Sequence, residues 1–561
     1  MGPAAEFDYI IVGAGSAGCL LANRLSANPD HRVLLIEAGG KDDWFWIKIP
    51  VGYLYTIANP RTDWCFTTEP DPGLAGRSIL YARGRVIGGC SSINAMIHMR
   101  GQASDYELWA KATGDQRWLW GGPDSPGETL EIYKELEDYF GGVDEWHGTG
   151  GEIRVERPRV RWKVLDAWQA AAAQEGIAPI EEFNRGDNAG SAYFHVNQRR
   201  GRRWSMADAF LHPVTRRPNL TVYTQTRAVR LLMDDQVRDD QRRGAWTTAQ
   251  HRATGVRLLK DGHTLDVAAR REVILSAGAI GSPHLMQLSG LGPAGLLTEH
   301  QVPVTVDLPG VGENLQDHLQ IRTVYRVRGV PTVNTLYRNW ITRAGMGLQY
   351  AALRSGPMTM PPSTLGAFAK SDPALASPDL EWHVQPLSLP KFGEPLHPFA
   401  AITPSVCNLR PSSRGHVRMS SADPLANPRI CCNYLSTEAD RRTAVIGVRM
   451  TRQIMAAPAL TRYHPQELLP GTQLVSDDDL QTAAGELGTT IFHPVGTCAM
   501  GSFDAQGRPH SAGTVLDTDC RVYRVAGLRV VDASAMPAIT SGNTNAPVML
   551  IAERAARAIV G

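Results

Sequence analysis

The feature that most constrains the fold is a glycine-rich unit close to the amino terminus. An apolar run over residues 9–12 has the length of a buried parallel strand. The glycines that follow it have the spacing G-x-G-x-x-G: Gly13, Gly15 and Gly18. A helical pattern comes next, and a second apolar run ends in Glu37, about 20 residues beyond the last glycine. Strand, turn, helix, second strand and acid in this order predict a βαβ unit that binds a dinucleotide.

Each element of this unit has a physical role. Gly13 permits a tight turn, Gly15 lets the backbone approach a pyrophosphate, and Gly18 lets the helix pack closely on the strand. The amides at the start of the helix offer partial positive charge to phosphates. Glu37 can accept hydrogen bonds from ribose hydroxyls. The alternative is a purely structural turn between a strand and a helix.

Length and composition limit the class of protein. A chain of 561 residues exceeds one ordinary core, so two domains are expected. The 57 basic and 56 acidic residues nearly balance, which gives no argument for nucleic acid. The eight cysteines are scattered without C-x-x-C or zinc spacing, which indicates reduced thiols of a cytoplasmic protein and predicts no metal. No signal peptide or transmembrane segment is expected, while peripheral contact with the inner membrane and the oligomeric state stay open.

Two later segments are also rich in small residues. In residues 83–97 (RGRVIGGCSSINAMI), the small residues would let the backbone approach a ligand closely, and Asn94 is a candidate hydrogen-bond donor to a ligand ring. Residues 278–292 follow a buried strand predicted over 272–276, and a helix is expected to start near Pro283. The dinucleotide sheet is therefore expected to receive strands from beyond residue 200.

The carboxy-terminal part carries the candidate chemistry. Pro494 holds His493 in an extended conformation beside small residues. Asp532 and Ala533 follow a predicted strand, at the end of the strand where ligands lie in open α/β sheets. Asn545 suits the cap region of an apolar helix, and the alternative to a catalytic role is that it only caps this helix. A helix that starts there directs its positive end at whatever lies before it.

At this point the chain resembles a known family, the glucose–methanol–choline (GMC) flavoprotein oxidoreductases, over essentially its whole length. The resemblance is carried by the amino-terminal unit, by RGRVIGGCSSINAMIHMRG (residues 83–101), by GAIGSPHLMQLSGLG (residues 278–292), and by HPVGTCAMG and VVDASAMP with SGNTNAP near the end. The pattern is most similar to the bacterial choline-dehydrogenase-like and alcohol-dehydrogenase branch.

The resemblance implies FAD as the cofactor and assigns its binding residues. Its ADP part would lie at the first motif, its ring near residues 91–97, and Val229 by the adenine. The cofactor-binding set implied is Gly13, Gly15, Ser16, Ala17, Gly18, Glu37, Ala38, Arg83, Val86, Gly88, Gly89, Ser91, Asn94, Ala95, Met96, Ile97, Val229, Phe492, Asp532, Ala533, Asn545 and Pro547. Some members attach FAD through a histidine in the second motif; here that position resembles Ile93, so noncovalent FAD is expected.

The expected fold class is α/β, with a Rossmann-like FAD-binding domain and a second α+β substrate domain built on an antiparallel sheet. The FAD-binding domain is expected to comprise residues 1–158, 219–318 and 484–561. The substrate-binding domain is expected to comprise residues 159–218 and 319–483. The pocket is expected to form between the second domain and an aromatic segment over 44–64, interpreted as a long loop.

The expected reaction is oxidation of an alcohol to an aldehyde or ketone by hydride transfer to flavin N5, with His493 as base and Asn545 as its partner. The branch favours a dehydrogenase that passes electrons to a quinone or another carrier. The alternatives are an oxidase that uses O2 and produces H2O2, a hydroxynitrile-type lyase with idle FAD, and a flavin-binding protein without activity. A nicotinamide-dependent enzyme would share the first glycines but would not need the later motifs.

Overall fold

The computed structural model describes residues 6–122, 125–235, 237, 249–390 and 394–561. Its α-helices are α1 Ser16–Leu25, α2 Phe45–Lys48, α3 Tyr53–Thr56, α4 Ala103–Thr113, α5 Thr129–Leu136, α6 Lys163–Gln174, α7 Gly278–Leu288, α8 Ala294–Glu299, α9 Val333–Arg338, α10 Trp340–Leu353, α11 Glu438–Ala456, α12 Pro458–Thr461, α13 Asp477–Leu487 and α14 Asn545–Val560. None of these described helices combines the length and apolarity that a membrane span requires.

The strands of the described residues are β1 Glu6–Val12, β2 Val33–Ile36, β3 Phe66–Thr67, β4 Leu80–Tyr81, β5 Glu137–Tyr139, β6 Ile153–Val155, β7 Gly190–Tyr193, β8 Gln198–Arg199, β9 Arg202–Arg203, β10 Leu220–Tyr223, β11 Thr226–Asp234, β12 His251–Lys260, β13 His263–Leu275, β14 Leu291–Gly292, β15 Val306–Asp307, β16 Leu319–Arg322, β17 Val324–Arg326, β18 Leu365–Ala369, β19 Leu380–Gln385, β20 Ala401–Asn408, β21 His416–Arg418, β22 Arg429–Cys431, β23 Gln466–Leu469, β24 Gly488–Thr490, β25 Val525–Ala526 and β26 Leu528–Val530.

The first sheet has a parallel core that carries the amino-terminal unit. Its order is β10-β2-β1-β13-β12-β11, and β26 joins β13 in parallel. Strands β10, β2, β1 and β13 pair in parallel, whereas β11, β12 and the first half of β13 form an antiparallel meander. Strands β1 and β2 are almost wholly apolar and buried, as parallel strands covered on both faces must be. The predicted βαβ unit is confirmed, with α1 between β1 and β2.

The second sheet is antiparallel and lies later in the chain. Its order is β23-β17-β20-β19-β18-β7, with β16 joining β20 and β24. Helix α11 packs on β20 and on α13, which gives this half the predicted combination of an antiparallel sheet with helices. The α/β fold class is therefore confirmed. Strand β7 reaches this sheet from the amino-terminal half of the chain, so each sheet is assembled from segments that lie far apart in sequence.

Three local expectations require correction. The segment 44–64 is not one long loop, because it contains α2 and α3. These single turns are held by stacking, with the rings of Trp46 and Tyr55 4.1 Å apart, rather than by an apolar period. The strand expected over 272–276 is the last part of a longer strand, β13, which continues through Arg270 and Arg271 because these arginines project from the sheet towards Asp8.

The third correction concerns the helix expected near Pro283. Helix α7 begins five residues earlier, at Gly278, and Pro283 lies inside it. Proline has no N–H, so the carbonyl of Ala279, one turn before it, loses its usual helical donor. The hydroxyl of Thr497 donates to that carbonyl at 2.6 Å and replaces the lost bond. A contact from a segment far along the chain thus makes the proline compatible with the helix.

The packing of α1 on β1 depends on Gly18. A Cβ at this position would lie 1.9 Å from the carbonyl oxygen of Gly13. We therefore expect Gly18→Ala to force the helix away from the strand and to lower the free energy of unfolding by about 1–3 kcal/mol. Chemical denaturation followed by circular dichroism measures this loss. The control is Gly347→Ala in α10, where a Cβ meets nothing within 4 Å and alanine should be neutral or stabilising; equal behaviour of the two variants would contradict the packing role.

Candidate active site

A cavity of about 320 Å³ runs between the two sheets, within the size range of ligand sites. Its walls come from the carboxyl ends of β1, β2 and β13, from residues 82–97, from the second sheet and from the segments before α14. The carboxyl ends of parallel strands are where open α/β sheets bind ligands. The amino-terminal glycine unit and His493 line the same cavity.

The first glycine turn forms one end of this cavity. Gly13 has φ +104°, and a Cβ there would lie 2.5 Å from the carbonyl oxygen of Ser276 on the neighbouring strand. At Gly15 an added Cβ would meet only that same oxygen, at 3.9 Å, so the cavity side of the turn is open. Gly18 does not line the cavity and instead packs α1 on β1. The three glycines therefore occupy the turn, approach and packing positions that the sequence pattern predicts.

Glu37 stands at the end of β2 with both carboxylate oxygens engaged. One accepts the amide of Ala14 at 3.0 Å and the other the amide of Gly39 at 2.7 Å. Burial raises the pKa of the Glu37 carboxyl to about 7, although these two amides and Arg85 act in the opposite direction. Each oxygen retains a further lone pair, so the carboxylate can also accept hydroxyl groups from a ligand in the cavity.

The second glycine segment closes over the first. The amide of Gly88 donates to the carbonyl of Ala14 at 2.8 Å, and a Cβ on Gly89 would lie 2.6 Å from the Cα of Gly15. Asn94 turns its Oδ1 towards the Arg203 guanidinium, 2.8 Å away. Backbone thus lies on backbone at this point, which only glycine permits.

Asp532 connects the third glycine segment to the carboxy-terminal strand. Its carboxylate accepts the amide of Gly278 at 2.8 Å, and the hydroxyls of Ser282 and Ser534, both at 2.6 Å. It thereby holds the start of α7 against the end of β26, beside the cavity. A Cβ at Gly278 would find nothing within 4 Å, so this backbone also faces open space.

His493 lies at the other end of the cavity in a chain of three hydrogen bonds. Its Nε2 lies 3.0 Å from Nδ2 of Asn543, and its Nδ1 lies 3.0 Å from Nδ1 of His318. Nε2 of His318 lies 3.1 Å from the carbonyl oxygen of Leu409. The backbone amide of His493 donates to Asp317 at 2.8 Å, which fixes the residue in place.

The order of these partners decides where the protons lie. A carbonyl can only accept, so the N–H of a neutral His318 is at Nε2 and its Nδ1 is an acceptor. His493 must then donate from Nδ1, which leaves a lone pair on Nε2. The amide of Asn543 donates to that lone pair. His493 is thus held in the tautomer in which Nε2 can accept a proton.

The surroundings keep His493 uncharged. Burial, followed by the nearby His318, His383 and Arg83, holds the pKa of His493 well below its usual value of 6.5. Burial likewise lowers the pKa of His318. Two neutral imidazoles at this end of the cavity suit proton acceptance at neutral pH.

Asn545, which was expected to accompany His493, has a different partner. Its Oδ1 accepts the hydroxyl of Ser16 at 2.7 Å, which ties the start of α14 to the first turn of α1. Asn543, two residues earlier, donates to the histidine. The difference arises because Asn545 is already the first helical residue, whereas Asn543 lies in the turn before the helix and directs its side chain into the cavity.

The expected cofactor residues divide into two groups by position. Those that line the cavity are Gly13, Gly15, Ser16, Ala17, Glu37, Ala38, Arg83, Gly89, Asn94, Ala95, Met96, Ile97, Phe492, Asp532, Ala533 and Asn545. Those outside the lining are Gly18, Val86, Gly88, Ser91, Val229 and Pro547. Val229 lies outside the lining, but residues 226–228, which precede it, line the cavity. Ser91 accepts the amide of Met206 at 3.0 Å and so supports the segment from behind.

Several site residues were missed in the sequence. Asn543 lies in SGNTNAP and His318 ends the sequence GVGENLQDH (residues 310–318), but neither sequence indicates which polar side chain meets the histidine. His383, Gln320 and Gln385 reach the cavity from the second sheet. The aromatic segment contributes Tyr53, Ile57 and Trp64, as the expectation of a pocket wall there suggests.

The cavity residues fit a flavin dinucleotide. Open glycine backbone and a carboxylate lie at one end, and polar groups with a neutral imidazole lie at the other, joined through one continuous lining. Oδ1 of Asn543 is buried and has no hydrogen-bond partner among the described residues, which is typical of an atom that awaits a bound molecule.

Comparison with known proteins agrees with this geometry. The GMC oxidoreductase amino-terminal family model matches residues 7–320 and the carboxy-terminal family model matches residues 411–552. The alcohol dehydrogenase [acceptor] of Pseudomonas putida is 37% identical over 558 residues, covering 99% of this chain and 96% of that protein. The mitochondrial choline dehydrogenase of Mus musculus is 35% identical and covers 99% of this chain and 90% of that protein.

A solved structure of the same architecture is that of pyridoxine 4-oxidase from Mesorbium loti. It superposes with a TM-score of 0.84 at 32% identity, covering 98% of this chain and 99% of that chain. The similarity therefore extends across both sheets.

Proposed function

The chain belongs to the GMC oxidoreductase family, and from that premise we propose a substrate class, an electron acceptor and roles for the site residues. The protein is an FAD-dependent oxidoreductase that acts on the CH–OH group of an alcohol. The observation that carries the assignment of roles is the hydrogen-bond chain from Leu409 through His318 to His493 and Asn543.

His493 is the base and Asn543 its partner. The alcohol oxygen binds beside both side chains and takes over the amide of Asn543 from Nε2 of His493. Its hydroxyl proton then passes to the freed Nε2 while the amide of Asn543 donates to the same oxygen. His318 accepts from Nδ1 of His493 and so keeps Nε2 unprotonated before the reaction. Bound FAD supplies the oxidising chemistry, since it accepts the hydride that leaves the carbinol carbon. The product is an aldehyde or ketone.

The glycine turn, Glu37 and the 88–97 segment hold the cofactor. Gly15 and the start of α1 would hold its pyrophosphate, and Glu37 would accept hydrogen bonds from its ribose hydroxyls. We propose that the attachment is noncovalent, since Ile93 lines the cavity at the position where a histidine would be needed. Asn545 acts at a distance from the reaction by fixing Ser16 at the first turn.

The proposed substrate is an uncharged alcohol with an apolar or aromatic body. Tyr53, Trp64 and Phe66 provide aromatic walls. The carboxylates among the described lining residues are Glu37 and Asp532, and both are already occupied by backbone amides. Arg83 and Arg227 add positive charge to the same cavity, which disfavours a cationic substrate such as choline.

The proposed acceptor is a quinone or another electron carrier. Relatives at 35–37% identity are named as dehydrogenases, one of them with an unspecified acceptor. An oxidase that reduces O2 is the second candidate, because the structurally similar protein at 32% identity is an oxidase.

The function is tested by mixing the purified holoenzyme without oxygen with a panel of aromatic, long-chain and amino alcohols. We expect neutral aromatic and long-chain alcohols to bleach the flavin band and to reduce an added dye, with choline much slower. Repeating the assay in air should consume little oxygen; stoichiometric H2O2 would establish the oxidase instead. A flavin that no alcohol bleaches would contradict alcohol oxidation and favour the lyase or the inactive flavin protein.

The two asparagines give a matched test of the site. We expect Asn543→Ala to slow flavin reduction by about 10²-fold with FAD retained, since it removes a donor to the reacting oxygen. Asn545→Ala should instead weaken FAD retention, through loss of the Ser16 contact, and leave the reduction rate of the bound fraction close to that of the parent. Rapid-mixing absorbance and flavin content separate the two effects. The reverse pattern would restore Asn545 as the partner of the base.

The pH profile tests the environment of the base. Because the pKa of His493 is depressed, kcat/KM should stay level as pH falls to 6.5 and decline only below that value. His318→Gln removes one of the ionisable neighbours that lower the pKa of His493, so the acidic limb of the kcat/KM profile should move to higher pH. His397→Gln, at a histidine bound to Ser388, is the control and should leave the limb in place. Identical profiles for parent and His318→Gln would contradict the proposed effect of His318 on the pKa of His493.

A further inference from the structure

Helix α10 carries a stripe of apolar side chains that the described chain leaves uncovered. The exposed fractions are 74% for Trp340, 62% for Ile341 and 72% for Leu348, and Tyr350 is the one residue of this helix that is buried. The three exposed residues and the exposed Ala344 occur at positions i, i+1, i+4 and i+8, which places them on one face of the helix. Helices of water-soluble proteins normally bury such a face, and a large exposed apolar patch marks an interaction surface.

The stripe continues onto the aromatic segment. Tyr55, in α3, hydrogen-bonds with Tyr337, in α9, and stacks on Trp46 with ring centres 4.1 Å apart. Phe45 follows, 4.7 Å from Trp46 and 57% exposed. We call this surface the apolar platform, and it is formed by Phe45, Tyr55, Tyr337, Trp340, Ile341 and Leu348.

The charged residues in the stretch of chain that carries α9 and α10 have one sign. From residue 318 to residue 371 the sequence has no aspartate or glutamate, and its charged residues are Arg322, Arg326, Arg328, Arg338, Arg343, Arg354 and Lys370. The guanidinium of Arg343 lies 4.7 Å from the ring centre of Tyr337, and that of Arg354 lies 4.9 Å from that of Tyr350. Their apolar stems thus extend the platform while their charged ends remain at its edge. Near Phe45, the exposed Asp43 is paired with Arg61.

We propose that the apolar platform docks this protein on the surface of an anionic lipid bilayer. Tryptophan and tyrosine favour the boundary between lipid and water, and arginines at the edge are attracted to anionic headgroups. A helix of this kind lies in the plane of the interface and does not span the membrane. A second copy of the chain is a poorer occupant, because a symmetric contact would bring one arginine-rich edge against the other.

The apolar platform lies next to the active-site cavity. Tyr53 and Ile57, on either side of Tyr55, line the active-site cavity, so one short segment contributes to both surfaces. A lipid-soluble electron acceptor in the docked bilayer therefore lies beside the cavity wall. This consequence rests on the proposed quinone acceptor, whereas the docking itself does not.

The test is co-sedimentation of the holoenzyme with vesicles of phosphatidylcholine, with and without phosphatidylglycerol. We expect binding that requires the anionic lipid and weakens as salt is raised. The double variant Trp340→Glu with Leu348→Glu should bind at least about tenfold more weakly. The matched control is Val143→Glu with Val475→Glu, which adds the same charge at exposed valines outside the platform and should bind close to the parent. All three proteins should oxidise alcohol equally with a soluble dye, which keeps failure of docking distinct from failure of the proposed function.

Two results would overturn the proposal. One is equal vesicle binding by the platform variant and the valine control. The other is a parent protein that is dimeric in sedimentation velocity without lipid and becomes monomeric only in the platform variant, which would make this face a contact between copies. With a quinone dissolved in the vesicles as acceptor, the platform variant should lose turnover in proportion to its lost binding.

Discussion

The structure depends on the close approach of three backbone segments at the first glycine turn. Gly13 meets the end of β13 at Ser276, Gly15 meets Gly89, and Gly18 meets Gly13 itself. At each contact a Cβ would lie within 2.6 Å of a backbone atom, so no other residue fits without movement of the chain. The turn that receives the cofactor is therefore complete only when strands and loops from distant parts of the chain are in place. This explains why the three glycine motifs occur together and why each alone is weak evidence.

The end of the cavity at His493 is built on a comparable constraint, in which a backbone carbonyl orders a row of hydrogen-bonded side chains. Leu409 follows β20 and His318 precedes β16, so both belong to the second sheet. His493 follows β24, and Asn543 precedes α14. The tautomer of His493 is thus set by the carbonyl oxygen of Leu409, which can only accept hydrogen bonds. Because Asn543 precedes α14, which packs on α1 beside the first sheet, a change in the relative position of the two sheets would separate Asn543 from the histidines.

Much of this arrangement could be predicted from the sequence, and the failures have physical causes. The βαβ unit and the antiparallel second half follow from local apolar patterns, which the structure retains. The start of α7 could not be predicted, because the bond that makes Pro283 tolerable comes from Thr497. Whether Asn543 or Asn545 contacts His493 depends on where α14 begins, and a sequence pattern places the start of a helix only to within a few residues. His318 gave no local signal, since its role is defined by two partners far away in sequence.

Positive charge near His493 affects both the imidazole and the oxygen of a bound alcohol. Around His493, the buried surroundings with His318, His383 and Arg83 make the protonated imidazole costly, which alone would weaken the base. In the proposed mechanism, Arg83 favours the negative charge that develops on the alcohol oxygen as its proton leaves, and the amide of Asn543 favours it further. The arrangement therefore stabilises negative charge on the reacting oxygen rather than positive charge on the resting histidine, and this lowers the barrier. A cationic substrate would lose this benefit, because its own charge would have to enter the same positive field.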